Sequence, residues 1–320
     1  MAETPIPFRW RWSDPLLERH LGRGPALPLP AAHEAELLRV AIQVLRRAGD
    51  VDLVFVGRSP ENLHDLLSGA LWDTTWRERL QLLQLSLRSE SPGRLRRQRP
   101  GALEHLWRYF QALGLTPSQL LARHRPVAFV DLVYAGRTFG NLQKVLRYWS
   151  GGQFRHWQPV LERLRWVCLV EHGNTRHHAW GPRYSRWAQD VAPEHLTRLR
   201  VDWRLWRHLA DDQPKTTPPH TSADWGAPHT RRDLEARPRL EAARLAWRLH
   251  QQGRAWRPWI ARGLEESPPD PAAWQRDLAR ELRAPAHAPR DRPRGRHGRQ
   301  LSDRRAPSAA RWPTDALRTP

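Results

Sequence analysis

Cysteine occurs once in the 320 residues, at Cys168, so no disulfide can form within the chain and a four-thiolate zinc site is excluded. Lysine occurs twice, at Lys144 and Lys215, and methionine once. No run approaches the ~20 apolar residues of a membrane-spanning helix. The opening MAETPIPFRWRW lacks the apolar stretch of a signal peptide. A cytoplasmic protein without a membrane partner is therefore expected. Three signatures are also missing. There is no GxxxxGK[ST] loop, no GxGxxG fingerprint and no GxSxG elbow, which speaks against a P-loop NTPase, a dinucleotide-binding unit and a serine hydrolase of that type.

Arginine fills the place that lysine leaves. All but two of the 53 basic residues are arginine, and the net charge is +20. A GC-rich codon bias and selection for an anionic partner both produce this profile, and both readings stay open. A basic balance attracts nucleic acid or phosphorylated ligands without saying which. Hydrophobic residues make up 39% and prolines number 29, so part of the chain is expected to stay outside any packed core.

Along the chain, residues 1–32 read as an irregular proline-rich arm, with Phe8, Trp10 and Trp12 available for packing. Residues 33–48 carry apolar residues at helical spacing. VDLVFV (51–56) is short, continuous and β-branched, the form of a buried parallel strand. LQLLQLSL (80–87), PVAFVDLVYA (126–135) and RWVCLV (165–170) read as further strands, with helices between them. That alternation predicts an α/β fold, a mostly parallel sheet with helices on both faces, spanning 33–211. VDWRLWRHLAD (201–211) reads as a helix. Residues 212–283 read as a linker with short helices near 236–252 and 271–283. From Ala284 to Pro320 nine arginines and six prolines meet little apolar material, so a disordered basic tail is expected.

One phrase is written twice. DLVFVGRSPENLHDLL (52–67) and DLVYAGRTFGNLQKVL (131–146) share eight of sixteen positions. Both read as a buried strand, a Gly-Arg-hydroxyl turn and a helix beginning at the hydroxyl residue. In a parallel sheet such turns lie at the carboxyl edge, where ligands bind. The first helical amides lack intrahelical partners and carry partial positive charge. Gly57 and Gly136 let backbone approach an anion, Arg58 and Arg137 supply forked donors, and Ser59 and Thr138 add hydroxyls. Two such turns on one edge would suit a ligand with two phosphate groups. The plainer reading is that each hydroxyl is an N-cap and each glycine ordinary turn chemistry.

The second copy also carries a family likeness. VAFVDLVYAGRT (127–138) resembles the phosphoribosyl-pyrophosphate signature of type I phosphoribosyltransferases, an apolar strand ending in acid followed by a short loop that closes on glycine and threonine. The resemblance implies that Asp131 faces the ribose as the catalytic acid, and that Ala135, Gly136, Arg137 and Thr138 form the 5′-phosphate loop. Gly57, Arg58 and Ser59 take the place of the pyrophosphate loop in chain order. It implies Mg²⁺ as cofactor, a phosphorylated small molecule as partner, and transfer of phosphoribose to an acceptor. Leu132 stands where most members carry a second acid, so a binding protein or an altered transferase stays open.

Other features point elsewhere. EHGNTRHH (171–178) places Glu171 and His172 on a loop that touches substrate or is simply solvated; a metal there lacks a supporting motif, so no protein-held metal site is assigned. Cys168 reads as a packing residue within a strand. Arginine and tryptophan interleave in the C-terminal third, which suits either core packing or base stacking. A non-catalytic nucleic-acid-associated protein, binding non-specifically through the basic tail, is the alternative function. A sugar-phosphate-binding or isomerase-type domain is a third.

Overall fold

A computed structural model describes residues 21, 29–87, 90–172, 185–217, 219–225, 237–266 and 270–285. The expectations for Phe8, Trp10 and Trp12, for most of the loop after His172 and for the tail beyond 285 fall outside these residues.

The apolar runs read as strands do form them. β1 (Asp52–Val56), β2 (Leu80–Leu83), β3 (Val127–Leu132) and β4 (Leu164–His172) are joined by β5 (Leu196–Asp202) in one all-parallel sheet. The strand order is β2-β1-β3-β4-β5. Alternation along each strand feeds two cores. Leu53, Phe55, Ala128, Val130, Val167 and Leu169 enter one; Val54, Val56, Val127, Phe129, Trp166 and Cys168 enter the other. Both faces are covered, which is why these strands read as unbroken apolar runs.

The first face is covered by α1 (Ala31–Ala48) and α2 (Glu61–Ala70). The second is covered by α3 (Pro92–Gln98), α4 (Ala102–Ala112), α5 (Pro117–Ala122), α6 (Arg137–Trp149), α7 (Phe154–Glu162) and α8 (Arg186–Gln189). Phe129, Phe139 and Trp187 surround Trp166 on this side, with ring centroids 5.1–5.4 Å from it. The basic connector after β2 contains α3. Ser91 caps it by accepting from the Arg94 amide, and Pro92 starts it.

Two expectations are corrected. LTRLRVD is the strand β5, with Leu199 and Val201 turned into the core and Arg198 and Arg200 exposed. The predicted helix at 201–211 therefore shrinks to α9 (Trp203–Arg207), followed by a wider turn over His208–Asp212. The boundary drawn at 212 is also not a boundary of the fold. Residues up to Pro285 form one compact unit. α10 (Arg237–Ala255), α11 (Arg257–Glu265) and α12 (Ala273–Arg283) contribute Leu245, Leu249, Ile260, Leu264, Leu278 and Leu282 to the first core.

α10 and α2 meet backbone to backbone. A Cβ on Gly69 would lie 1.8 Å from the His250 carbonyl oxygen, and one on Gly253 would lie 1.9 Å from that of Leu66. Only glycine allows this crossing. Each helical glycine costs about 1 kcal/mol against alanine, and the close approach it permits offsets that cost through packing.

Candidate functional site

The strand order reverses between β1 and β3. The chain runs outward from β1 to β2, then returns past β1 to continue with β3. At such a point the connections leave in opposite directions, and a crevice opens outside the carboxyl ends of the strands. A cleft of about 410 Å³ lies there. Its lining runs without a break from Asp131 to Phe139, with Ser59 at the end of the neighbouring strand and Trp206, Ala210 and Asp211 opposite.

Glycine builds the loop. Gly136 adopts φ 67 and caps α6, which an L side chain would do only under strain. The next residues, Arg137 and Thr138, open the helix with their amides unclaimed by helical bonding. Arg137 is exposed, and among the described residues its side chain makes no ion pair or hydrogen bond. Tyr134 is 57% exposed at the rim. Its ring lies 6.4 Å from that of Trp206, which is itself held by an indole N–H donated to the Leu169 carbonyl at 3.1 Å.

Asp131 is buried beneath this loop, and its Oδ1 accepts from the Leu132 amide at 2.8 Å. Burial pushes its carboxyl well above the ordinary carboxylate range, and the Leu132 amide and the Lys215 charge oppose that shift only in part. Burial thus favours the protonated form of an acid that lines the cleft.

The first copy of the repeated phrase is built differently, and this corrects the expectation of two equivalent units. Register pairs Asp52 with Val127, so Val56 and not Asp52 lies level with Asp131. Asp52 sits at the opposite end of the sheet, where Arg123 pairs with it. The helix after the first turn starts at Glu61 behind Pro60, not at Ser59. The helix after the second starts at Arg137, one residue before the hydroxyl.

The first turn is also roofed over. Gln213 Nε2 donates to the carbonyls of Arg58 and Ser59 at 3.2 and 2.7 Å. Arg58 Nη1 donates to the Thr217 carbonyl at 3.2 Å. Glu61 places its own buried carboxylate at the start of α2. It accepts from Thr216 N and Oγ1, Thr217 Oγ1 and Gln84 Nε2 at 2.9–3.2 Å. Beside the helix terminus read as an anion cradle, the chain thus places a carboxylate of its own, held by Gln84, Thr216 and Thr217. Of Gly57, Arg58 and Ser59, only Ser59 lines the cleft.

Ala135, Gly136, Arg137 and Thr138 do come together there with Asp131 and Ser59. Glu171 and His172 end β4 on the same sheet edge but do not belong to the lining. The sequence reading missed Trp206, Asp211 and Lys215. Lys215 donates from Nζ to the Leu209 carbonyl at 2.7 Å. Burial lowers its pKa to about 8, with Arg58 acting the same way and Glu61, Asp211 and Asp131 acting against. Its signal was rarity, since a chain that writes arginine almost everywhere keeps a lysine within charge range of Glu61, Asp211 and Asp131.

Among the described residues, no group of three or more His, Cys, Asp or Glu is arranged to hold a metal by itself. No described helix is long and apolar enough to cross a membrane. The fold and site thus define a doubly wound α/β protein with a cleft at its switch point. No family model, curated protein or solved structure matches this chain.

Proposed function

We propose that the switch-point cleft binds a phosphorylated ribose compound, with phosphoribosyl pyrophosphate the first ligand to test, and that the protein transfers phosphoribose to an acceptor. One observation carries the reading. The glycine-capped start of α6 opens onto the cleft, and a buried acid lies within reach of the same space. The amides of residues 136–138, the Thr138 hydroxyl and the exposed Arg137 suit a terminal phosphate. Asp131 suits ribose hydroxyls, which a protonated carboxyl can approach as donor and an ionised one as acceptor. Tyr134 and Trp206 offer an aromatic wall to a planar group.

Mg²⁺ fits the donor set in a limited way. It binds through one or two carboxylates plus substrate phosphates, and Asp131 and Asp211 both line the cleft; when bound there it would offset the charge of a departing pyrophosphate. The chain's own residues would position phosphate and ribose and exclude water from Asp131. Leu132, turned to the other side of β3 from Asp131, supplies no second acid.

Calorimetry with phosphoribosyl pyrophosphate and Mg²⁺ tests the proposal, with ribose 5-phosphate and glucose 6-phosphate as comparators. The expected result is binding of phosphoribosyl pyrophosphate that is lost in Asp131→Ala and Thr138→Ala. No binding by the wild type, or a preference for the hexose phosphate, would overturn it.

A further inference from the structure

A second anion-suited surface lies on another part of the sheet. β5 is an edge strand, paired with β4 on one side only. Along it runs an open cleft of about 540 Å³, formed by one stripe of α1 and the length of β5. The stripe is Arg39, Gln43 and Arg47, spaced i, i+4, i+8 and so aligned on one helix face over about 12 Å. Arg198 and Arg200 stand two residues apart on the solvent side of β5, about 6.6 Å along the strand. Arg39 and Arg47 flank the β5 edge from the face that α1 covers, and Arg198 and Arg200 flank it from the opposite face, in register with Cys168 and Val170, so four arginines line the two sides of one edge.

Among the described residues, the carboxylates beside this groove, Glu36 and Asp202, are locally engaged. Glu36 accepts two bonds from Arg39, each at 2.6 Å, and one from the Asp202 amide at 2.8 Å. Asp202 accepts from the Arg204 amide at the start of α9. Arg47, Arg198 and Arg200 form no ion pair among the described residues.

The geometry points to single-stranded nucleic acid as the ligand of this groove, with Arg47, Arg198 and Arg200 on phosphates and Trp203 stacked on a base. Two observations favour this over an acidic peptide adding itself as a sixth strand. First, the outward backbone of β5 is partly taken, because Arg39 Nη2 donates to the Arg200 carbonyl at 2.7 Å and Glu36 holds the Asp202 amide. A peptide strand would find those ladder positions filled, which is how sheet edges are kept from pairing. Second, the arginine row ends at Trp203, 47% exposed, with the Arg204 guanidinium 5.5 Å from its ring. Arginines that track a backbone beside an exposed aromatic ring are the elements of sequence-tolerant single-strand binding. Arg39 acts here as a positioning residue, since its fork is held by Glu36.

The proposal is independent of the switch-point cleft and is tested on the full chain. The probe is a fluorescein-labelled 15-nucleotide oligouridylate or oligothymidylate, followed by anisotropy across a salt series. Arg198→Glu/Arg200→Glu should weaken binding at least tenfold and lower the salt slope by about two. Arg47→Glu, which leaves β5 untouched, should weaken it by a smaller factor in the same direction. Trp203→Ala should cost about fivefold or more. Arg304→Glu/Arg305→Glu carries the same charge change into the basic tail and should leave binding within about twofold. Equal losses from the groove and tail doubles, or no loss from the groove double and Arg47→Glu, overturn the assignment. Competition by oligoglutamate as strong as by unlabelled oligouridylate, or unaltered binding by Trp203→Ala, overturns the choice of nucleic acid over a plain anion.

Discussion

The two Gly-Arg-hydroxyl turns share half their residues and leave adjacent parallel strands, yet one is closed and the other open. The difference lies in what the rest of the chain brings to each. At the first, Glu61 supplies a carboxylate and Gln213, Thr216 and Thr217 engage it and the Arg58 turn, so Arg58 meets protein and only Ser59 reaches the cleft. At the second, the strand ends four residues before its glycine, and the longer loop leaves Asp131, Arg137 and the α6 amides around free space. A turn motif defines local backbone; whether it becomes a binding site depends on what covers it.

The largest effect separating the two turns is expected at Glu61. Glu61→Ala strips partners from Thr216, Thr217 and Gln84 in a buried setting. Breaking such a buried charged network costs about 3–5 kcal/mol, readable as a lower denaturant midpoint. An unchanged midpoint would mean that the first turn is not closed by this carboxylate. The arginines should part next. Arg137→Met is expected to weaken phosphate-ligand affinity about tenfold to a hundredfold with no change in stability, the size of a lost charge-assisted bond. Arg58→Met should do the reverse, losing about 1 kcal/mol with the bond to Thr217 and leaving affinity intact.

The two aspartates sharpen the same contrast through pH. Folding raises the Asp131 pKa, so the native state holds a proton that the unfolded chain gives up. Stability from that group is present below the ordinary carboxylate range and declines as pH rises toward the raised value. Asp131→Asn removes the penalty. It should stabilise the protein at pH 7, and less at pH 4, while abolishing ligand binding. Asp52→Asn should instead cost about 1 kcal/mol by losing its part-exposed pair with Arg123. Urea midpoints at the two pH values check both signs.

How much of this was legible beforehand follows from the range of each interaction. The four strands and their parallel arrangement were written in short apolar runs alternating with helices, three of them rich in valine and β2 in leucine. The stretch 127–138 was readable as a site because its strand, loop and cap are contiguous. β5 was missed because it is an edge strand with alternate arginines, so its apolar content is half that of a central strand. The helices after 236 were visible as helices, but their place in the core was not. It depends on Gly69 admitting the backbone of His250 and Gly253 that of Leu66, contacts between distant parts of the sequence with no local signal. The closing of the first turn was hidden for the same reason, since Gln213, Thr216 and Thr217 come from a stretch read as linker.

The smallest predicted effect is the most selective test of the comparison. Gly57 and Gly136 both adopt positive φ, 76 and 67, and an L side chain there costs about 1–2 kcal/mol. Gly57→Ala and Gly136→Ala should therefore lose similar stability, with Gly57 carrying a little more because its new Cβ would sit 3.2 Å from the Leu85 carbonyl oxygen. Ligand affinity should separate them. Gly136 caps the helix that opens on the cleft, so a methyl group there displaces the amides that would hold phosphate. Gly57 lies outside the lining, so its methyl group reaches only protein. Equal affinity losses in the two variants would mean that both turns contact the ligand, and the contrast between a closed and an open copy would be wrong.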